Sequence, residues 1–338
     1  MTMAHSKLLN KINRKVIRKY PILIRVLIGC SIVGIIIWKL DFSETLRLIH
    51  HLRFSLFLLG IVLSFMKLFV EVYKVFLLLH FQKISISYFR VFKIMTIGTF
   101  LGTFAPTSLG MEAFRIYGFS KFTNKTLRCI LAVGLNRFLG LLVLLVLASV
   151  SLFWERNYIQ DVGAFWIILI FVLLVFMLIF PWMGRSLNRW FPLPPKSNFM
   201  RKIWCFILDW DDNIHASMRL FKGRGLFLLF LIILTFIFQG LRILAVYFIS
   251  LSLGLHLNVL YFFIITPLIL LFMMVPLSIG GIGTREVSAV YFLGKMGVPA
   301  EHAFSVSILW FLAAIISSMP GAFYYLKEGM KVRRATGD

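Results

Sequence analysis

Charge is scarce in this sequence. Only 14% of its 338 residues are Asp, Glu, Lys or Arg, against 60% hydrophobic ones, and the mean hydropathy is +0.91. A soluble domain of this length needs far more polar surface. Acidic residues are scarcer still, 13 against 36 basic ones. Cysteine is limited to Cys30, Cys129 and Cys205, far apart and without a CxxC pair, so they read as unpaired thiols. The histidines form no HxxxH or HExxH, so neither a metal site nor a cofactor is indicated. The apolar–polar alternation of a membrane barrel is missing as well. No small-x-small cleavage site follows the basic N-terminus, so the first apolar segment reads as an uncleaved span.

What the chain does have is apolar length. Residues 162–184 carry no charge, and neither do the forty-two residues 243–284. A helix crosses the hydrocarbon core with roughly 20 apolar residues. The expected fold is therefore an all-α polytopic membrane protein with six full transmembrane helices, at about 22–40, 55–79, 126–152, 163–183, 226–252 and 302–326. Two further regions, 91–119 and 258–296, are apolar but interrupted, the first by Pro106 and Gly110, the second by Pro267, Pro276 and Gly280–Gly283. Each reads as a re-entrant pair of half-helices or a full hairpin. Residues 1–25 form a basic amphipathic arm, 22–183 a first membrane half, 184–224 a connecting loop with an interfacial helix, 225–326 a second half and 327–338 a tail.

The net charge of +23 would suggest nucleic acid on a soluble protein. Here the basic residues sit at membrane edges, where they set orientation and attract anionic lipid. Segment 7–25 holds seven, the 184–224 loop eight and the tail after 326 four. The 41–53, 153–161 and 253–257 loops hold two, one and none. Both termini and the central loop are thus expected in the cytoplasm, with the protein in a bacterial-type inner or plasma membrane.

The chain also repeats itself. Ala105–Gly110 (APTSLG) recurs as Val275–Gly280 (VPLSIG), Arg115 recurs as Arg285, and the common LFLL of 56–59 recurs at 226–229, all at an offset of 170. Combined with the charge pattern, the span at 55–79 runs outside to inside and its counterpart at 226–252 runs inside to outside. The expectation is an inverted repeat. Inverted repeats with broken helices mark alternating-access transporters, with the site near the midplane.

A broken helix in lipid frees backbone groups that protein, water or ligand must satisfy. Pro106 and Pro276 make the breaks, and Ser108 and Thr284 are candidate N-caps of the helices that follow. Gly110, Gly280, Gly281 and Gly283 allow close approach. A helix N-terminus suits a phosphate, and Arg115 and Arg285 follow the two breaks, each able to offer a phosphate two N–H donors. The competing reading is a structural ion pair between helices. Glu112, Glu286 and Glu71 are candidates for charge balance or proton coupling. Glu71 is flanked by Lys67 and Lys74 on one helix face, and Lys74 reads as snorkelling to the cytoplasmic edge. Asn136, Arg137, Gln239 and Arg242 form a second tier, lining a cavity or bonding helix to helix. The Asp209–Asp212 cluster reads as a solvated face. Gly280–Gly283 follows no strand and lacks the spacing of a nucleotide loop.

At these motifs the chain resembles the lysylphosphatidylglycerol synthase transmembrane, or flippase-like, family. APTSLGMEAFRIYG at 105–118 is similar to its first Pro–Gly–Glu–x–x–Arg motif, with Met111 where a second glycine is common. VPLSIGGIGTRE at 275–286 is similar to its second, Pro-x-x-x-Gly-Gly-x-Gly-x-x-Glu. The resemblance spans roughly residues 20–328 and implies a lipid translocator or an accessory to lipid-linked synthesis. The chain ends at Asp338, so the aminoacyl-transfer domain of the bifunctional members is not expected in it. The leading expectation is a flippase for a phospholipid or lipid-linked, phosphate-bearing headgroup, its phosphate held by Arg115, Arg285 and the half-helix N-termini. The alternatives are an integral-membrane transferase using a lipid-phosphate donor and a non-catalytic membrane partner of a glycosyltransferase. Expected partners are anionic or phosphate-bearing lipids and a glycosyltransferase or lipid-synthesis protein, not nucleic acid.

Overall fold

A computed structural model describes residues 42–103, 108–123, 125–154, 224–274 and 281–336. Among the described residues there are nine α-helices and no strand. They are α1 (Phe42–His50), α2 (Phe54–Phe81), α3 (Tyr88–Thr103), α4 (Ser108–Thr123), α5 (Thr126–Trp154), α6 (Gly225–Ser252), α7 (Val259–Met274), α8 (Thr284–Gly294) and α9 (Ala300–Thr336). The expected spans at 22–40 and 163–183, the N-terminal arm, the interfacial helix, Cys30, Cys205, the Asp209–Asp212 cluster, and Pro106, Pro276 and Gly280 lie outside the described residues.

Four helical stretches are long and apolar enough to cross a membrane: Phe54–Phe81, Thr126–Leu147, Gly225–Ser252 and Ala300–Lys327. A 28-residue helix such as α2 or α6 rises about 42 Å, more than the roughly 30 Å of hydrocarbon. The outward faces are apolar too. Phe54, Leu58, Met66 and Phe69 of α2, Leu226, Leu229 and Ile233 of α6, and Met319 and Phe323 of α9 are all exposed. In water so much apolar surface would be a liability, whereas hydrocarbon accepts it.

Two elements differ from expectation. Residues 41–53, read as a loop, contain α1, whose first turn carries Glu44 and last turn Arg47 and His50, as the helix dipole favours. Pro267 does not interrupt its region, because α7 runs through it. Proline removes one N–H, and in a membrane bundle neighbouring groups satisfy the freed carbonyl. The expected span at 302–326 falls in the membrane-length stretch Ala300–Lys327, and its helix runs on to Thr336.

The described chain divides into two compact units. The first draws on residues up to Met66, on Lys93–Phe114 and on residues from Leu241 onward. In it α8 packs on α7 and α9, and α9 packs on α1. The start of α2 lies antiparallel to the end of α6: Arg53 N–H donates to Ser252 O at 2.9 Å, and Gly60 faces Ala245 and Ile249. Ile249, Phe262, Leu268 and Phe304 are buried in its core. Gly321 of α9 lies against α3 so closely that a Cβ there would overlap the Thr96 carbonyl.

The second unit comprises Lys67–Phe92 and Arg115–Gly240. Here the end of α2 meets the start of α6, again antiparallel, with Phe81 stacked on Phe227 at 4.5 Å between ring centres. Val72, Leu78, Leu79, Phe119, Val143 and Leu231 form the core.

The α2–α3 and α6–α7 stretches correspond at an offset of 171. Helices α2 and α6 have 28 residues each, α3 and α7 have 16 each, and the linkers between them match in length. Both corners are Schellman caps. Ile84 N–H bonds Leu79 O as Leu255 N–H bonds Ser250 O, and Lys83 N–H bonds His80 O as Gly254 N–H bonds Leu251 O. The left-handed residue of each cap is Lys83 (φ 57°) or Gly254 (φ 79°). In this register Leu56 pairs with Phe227, so the LFLL match is a coincidence of a leucine-rich chain.

Lysine pays a steric penalty at that cap position which glycine does not. Lys83→Gly is therefore expected to stabilise the protein in detergent by about 0.5–1 kcal/mol and so raise its thermal midpoint, and Gly254→Ala to lower it. Opposite signs in calorimetry or dye-free fluorimetry would show that the two corners are not equivalent.

Candidate functional site

Spanning helices should be free of charge, yet α2 carries Lys67, Glu71 and Lys74. In the second unit Arg115 of α4 donates from Nη1 to Glu71 Oε1 at 3.0 Å, with Arg115 only 1% exposed. Lys74, one turn along α2, is equally buried. Its Nζ donates to Thr235 Oγ1 at 3.3 Å and stands 4.9 Å from the centre of the Phe238 ring. Lys74 therefore does not snorkel to the membrane edge, because its head is committed to α6. Thr235 in turn donates to Leu231 O at 2.7 Å, which orients its oxygen to accept from the lysine.

A further turn along α6, Gln239 Nε2 donates to Gly140 O of α5 at 2.5 Å. Asn136 lies one turn before Gly140 on α5, also buried. Within this unit's described residues Glu71 is the one carboxylate, while two near-fully buried cations, Lys74 and Arg115, accompany it. Two buried basic side chains thus lie in this unit close to one carboxylate, and Glu112 stands one turn before Arg115 on α4. Burying a charge is costly unless it is paired and hydrogen-bonded.

The second arginine is held differently. In the first unit Gly283 (φ 90°) is the N-cap of α8, so Thr284, expected as the cap, is the first helical residue, and its Oγ1 donates to Gly281 O at 3.1 Å. A backbone with positive φ excludes a threonine cap and admits glycine. Glu286 reaches back to accept from Gly283 N–H through Oε2 at 2.5 Å. Its Oε1 accepts from Arg285 Nε at 3.1 Å and Nη2 at 2.5 Å, and from Ser307 Oγ at 3.2 Å. Phe311 covers the guanidinium at 4.4 Å from its ring centre. This pair is formally neutral, closed on itself and 4% exposed on both sides.

The remaining candidates fall as follows. Ser108 begins α4, Gly110 is exposed in it, and Glu112 is buried and belongs to the first unit. Arg137 and Arg242 are half-buried, the former in the second unit and the latter in the first. Sequence reasoning missed Thr235, Ser307 and Phe311, and misplaced Lys74. Lysine inside an apolar run was a visible signal, while a lone threonine or serine in such a run carries none. Among the described residues no three His, Cys, Asp or Glu stand together as metal ligands.

Removing one partner of a buried pair leaves an uncompensated charge. Glu286→Ala is expected to lower stability by about 3–5 kcal/mol, and the double change Arg285→Met with Glu286→Leu to recover most of it. Glu44→Ala, which breaks the exposed Glu44–Arg47 pair at 3.7 Å, should cost under about 1 kcal/mol. Thermal unfolding of the purified variants in one detergent checks the order.

Residues 22–321 match the model of the lysylphosphatidylglycerol synthase TM region. No curated protein and no solved structure matches the chain. The match covers most of the sequence, both arginine motifs, three of the four described membrane-length helices and most of the fourth. The chain is a multi-pass integral membrane protein and belongs to the lysylphosphatidylglycerol synthase transmembrane family.

Proposed function

We propose that the protein moves a phosphate-bearing lipid headgroup across the membrane, holding the phosphate at Arg115. The observation that carries this reading is the burial of two basic side chains, Arg115 and Lys74, on the helices of the second unit. Intramembrane charge marks function by default. A lipid phosphate accepts hydrogen bonds from a guanidinium or an ammonium, while its acyl chains remain in hydrocarbon. Arg285, neutralised by Glu286, contributes to the shape of the second break rather than to its charge.

The antiparallel course of α2 and α6, equivalent helices at an offset of 171, supports the inverted repeat, as does the assignment of the two matching corners to different units. In this reading six full crossings and two broken regions place both termini in the cytoplasm, in a bacterial-type inner membrane. A transferase needs a carboxylate or histidine free to move a proton. Glu71 and Glu286 are instead engaged by arginines, which favours transport.

Purified protein in proteoliposomes tests this. Wild type is expected to move a headgroup-proximal fluorescent phospholipid between leaflets, and Arg115→Ala to slow it about 10–100-fold. That is the ~1.5–3 kcal/mol of a hydrogen bond to a charged group. Equal rates in wild type, variant and empty vesicles would refute it, and a lipid product formed by purified protein would replace it with the transferase reading.

A further inference from the structure

The arginine pair does not account for two other buried groups of the second unit. Oδ1 of Asn136 and Oε1 of Gln239 are buried and accept no hydrogen bond among the described residues. Asn136 is 6% exposed and Gln239 2%. Gln239 is oriented by its own donor, since Nε2 is bonded to Gly140 O. Turning the amide over would set two oxygens against each other, so Oε1 is the end left to accept. Asn136 lies on the face of α5 that carries Gly140, one turn away. Asn136 therefore lies on the face of α5 that Gln239 of α6 meets at Gly140. A buried acceptor that finds no donor costs free energy, and native proteins seldom keep one without reason.

Charge stands beside them. Gln239 follows Thr235 by one turn of α6, and Thr235 receives the Lys74 ammonium. Along α6 the order is thus a buried cation, then a buried amide acceptor, then the second amide across on α5. That is the order of groups in a phosphodiester headgroup whose far side carries O–H or N–H donors.

We propose that Lys74, Gln239 and Asn136 form the headgroup-recognition site, Lys74 joining Arg115 in holding the phosphate and the two amides accepting from hydroxyl or ammonium hydrogens beyond it. The inference rests on the transport reading of the same site and adds a division of labour. Phosphate is common to all phospholipids, so Lys74 sets affinity without discrimination. Donors are not common to all. The glycerol of phosphatidylglycerol and the ammonium of phosphatidylethanolamine have them, and the trimethylammonium of phosphatidylcholine has none. A site built to bond a donor rejects the analogue lacking it.

The test is lipid binding to the purified full-length protein in detergent, read by native mass spectrometry with dioleoyl phosphatidylglycerol, phosphatidylethanolamine and phosphatidylcholine in turn. Wild type is expected to bind the first two about tenfold or more tightly than the third. Asn136→Leu and Gln239→Met should each bring that ratio towards one, and Lys74→Met should weaken all three lipids together with the ratio kept. Asn136→Leu leaves the Gln239–Gly140 bond in place, so it reads the amide site even if Gln239→Met fails to fold. If phosphatidylethanolamine binds no better than phosphatidylcholine while phosphatidylglycerol does, hydroxyls are the donors recognised. Equal binding of all three lipids to wild type, or a ratio unchanged in Asn136→Leu, overturns the proposal. Selective binding without movement between leaflets would leave this site standing and refute transport, whereas movement with unselective binding would do the reverse.

Discussion

A polar group in hydrocarbon has no water to turn to, and the described structure is arranged around that constraint. Backbone groups are satisfied inside helices. Where helices end, the same rule selects the caps. Schellman bonds close the α2 and α6 corners, and a glutamate side chain closes the amide at the start of α8. Hydroxyls of Ser64, Thr99, Ser149 and Thr235 return to carbonyls of their own helices. Against this background of satisfied groups, the buried cations of the second unit and the two open amides beside them stand out.

The two arginine motifs look alike in sequence and differ in physics. Arg285 meets a carboxylate on the adjacent residue, so its neutralisation is local, and Ser307 and Phe311 complete its enclosure. Arg115 must reach another helix to find Glu71, and Lys74 is buried one turn from that carboxylate. Two similar motifs thus sit in different surroundings, one arginine paired within its own helix and the other paired across helices beside a buried lysine.

Much of the fold was legible because hydrophobic length is written directly in the sequence. Spans at 55–79, 126–152 and 226–252 match α2, α5 and α6 closely, since apolar residues end where capping and charged residues begin. The helix α1 was not legible, because nine residues with mixed charge carry too weak a period. Pro267 misled for a different reason: proline breaks helices in water, but not reliably where other helices satisfy its carbonyl. Of the site, the arginines and glutamates were visible as charges in apolar surroundings. What they bond to was not, because a pairing such as Glu71 with Arg115 or Lys74 with Thr235 depends on which helix faces which. The LFLL match at an offset of 170 does not coincide with the α2–α3 and α6–α7 corners, which correspond at 171, because leucine-rich helices share short strings by chance.

The central claim is that the basic group of the second unit, not the neutral pair of the first, receives the lipid phosphate. A high-resolution structure of the protein in lipid nanodiscs containing phosphatidylglycerol tests it most directly. The account predicts phosphate density within about 3 Å of the Arg115 guanidinium or the Lys74 ammonium. Headgroup density at Arg285 with Glu286 displaced, and only acyl chain around Lys74 and Arg115, would contradict it.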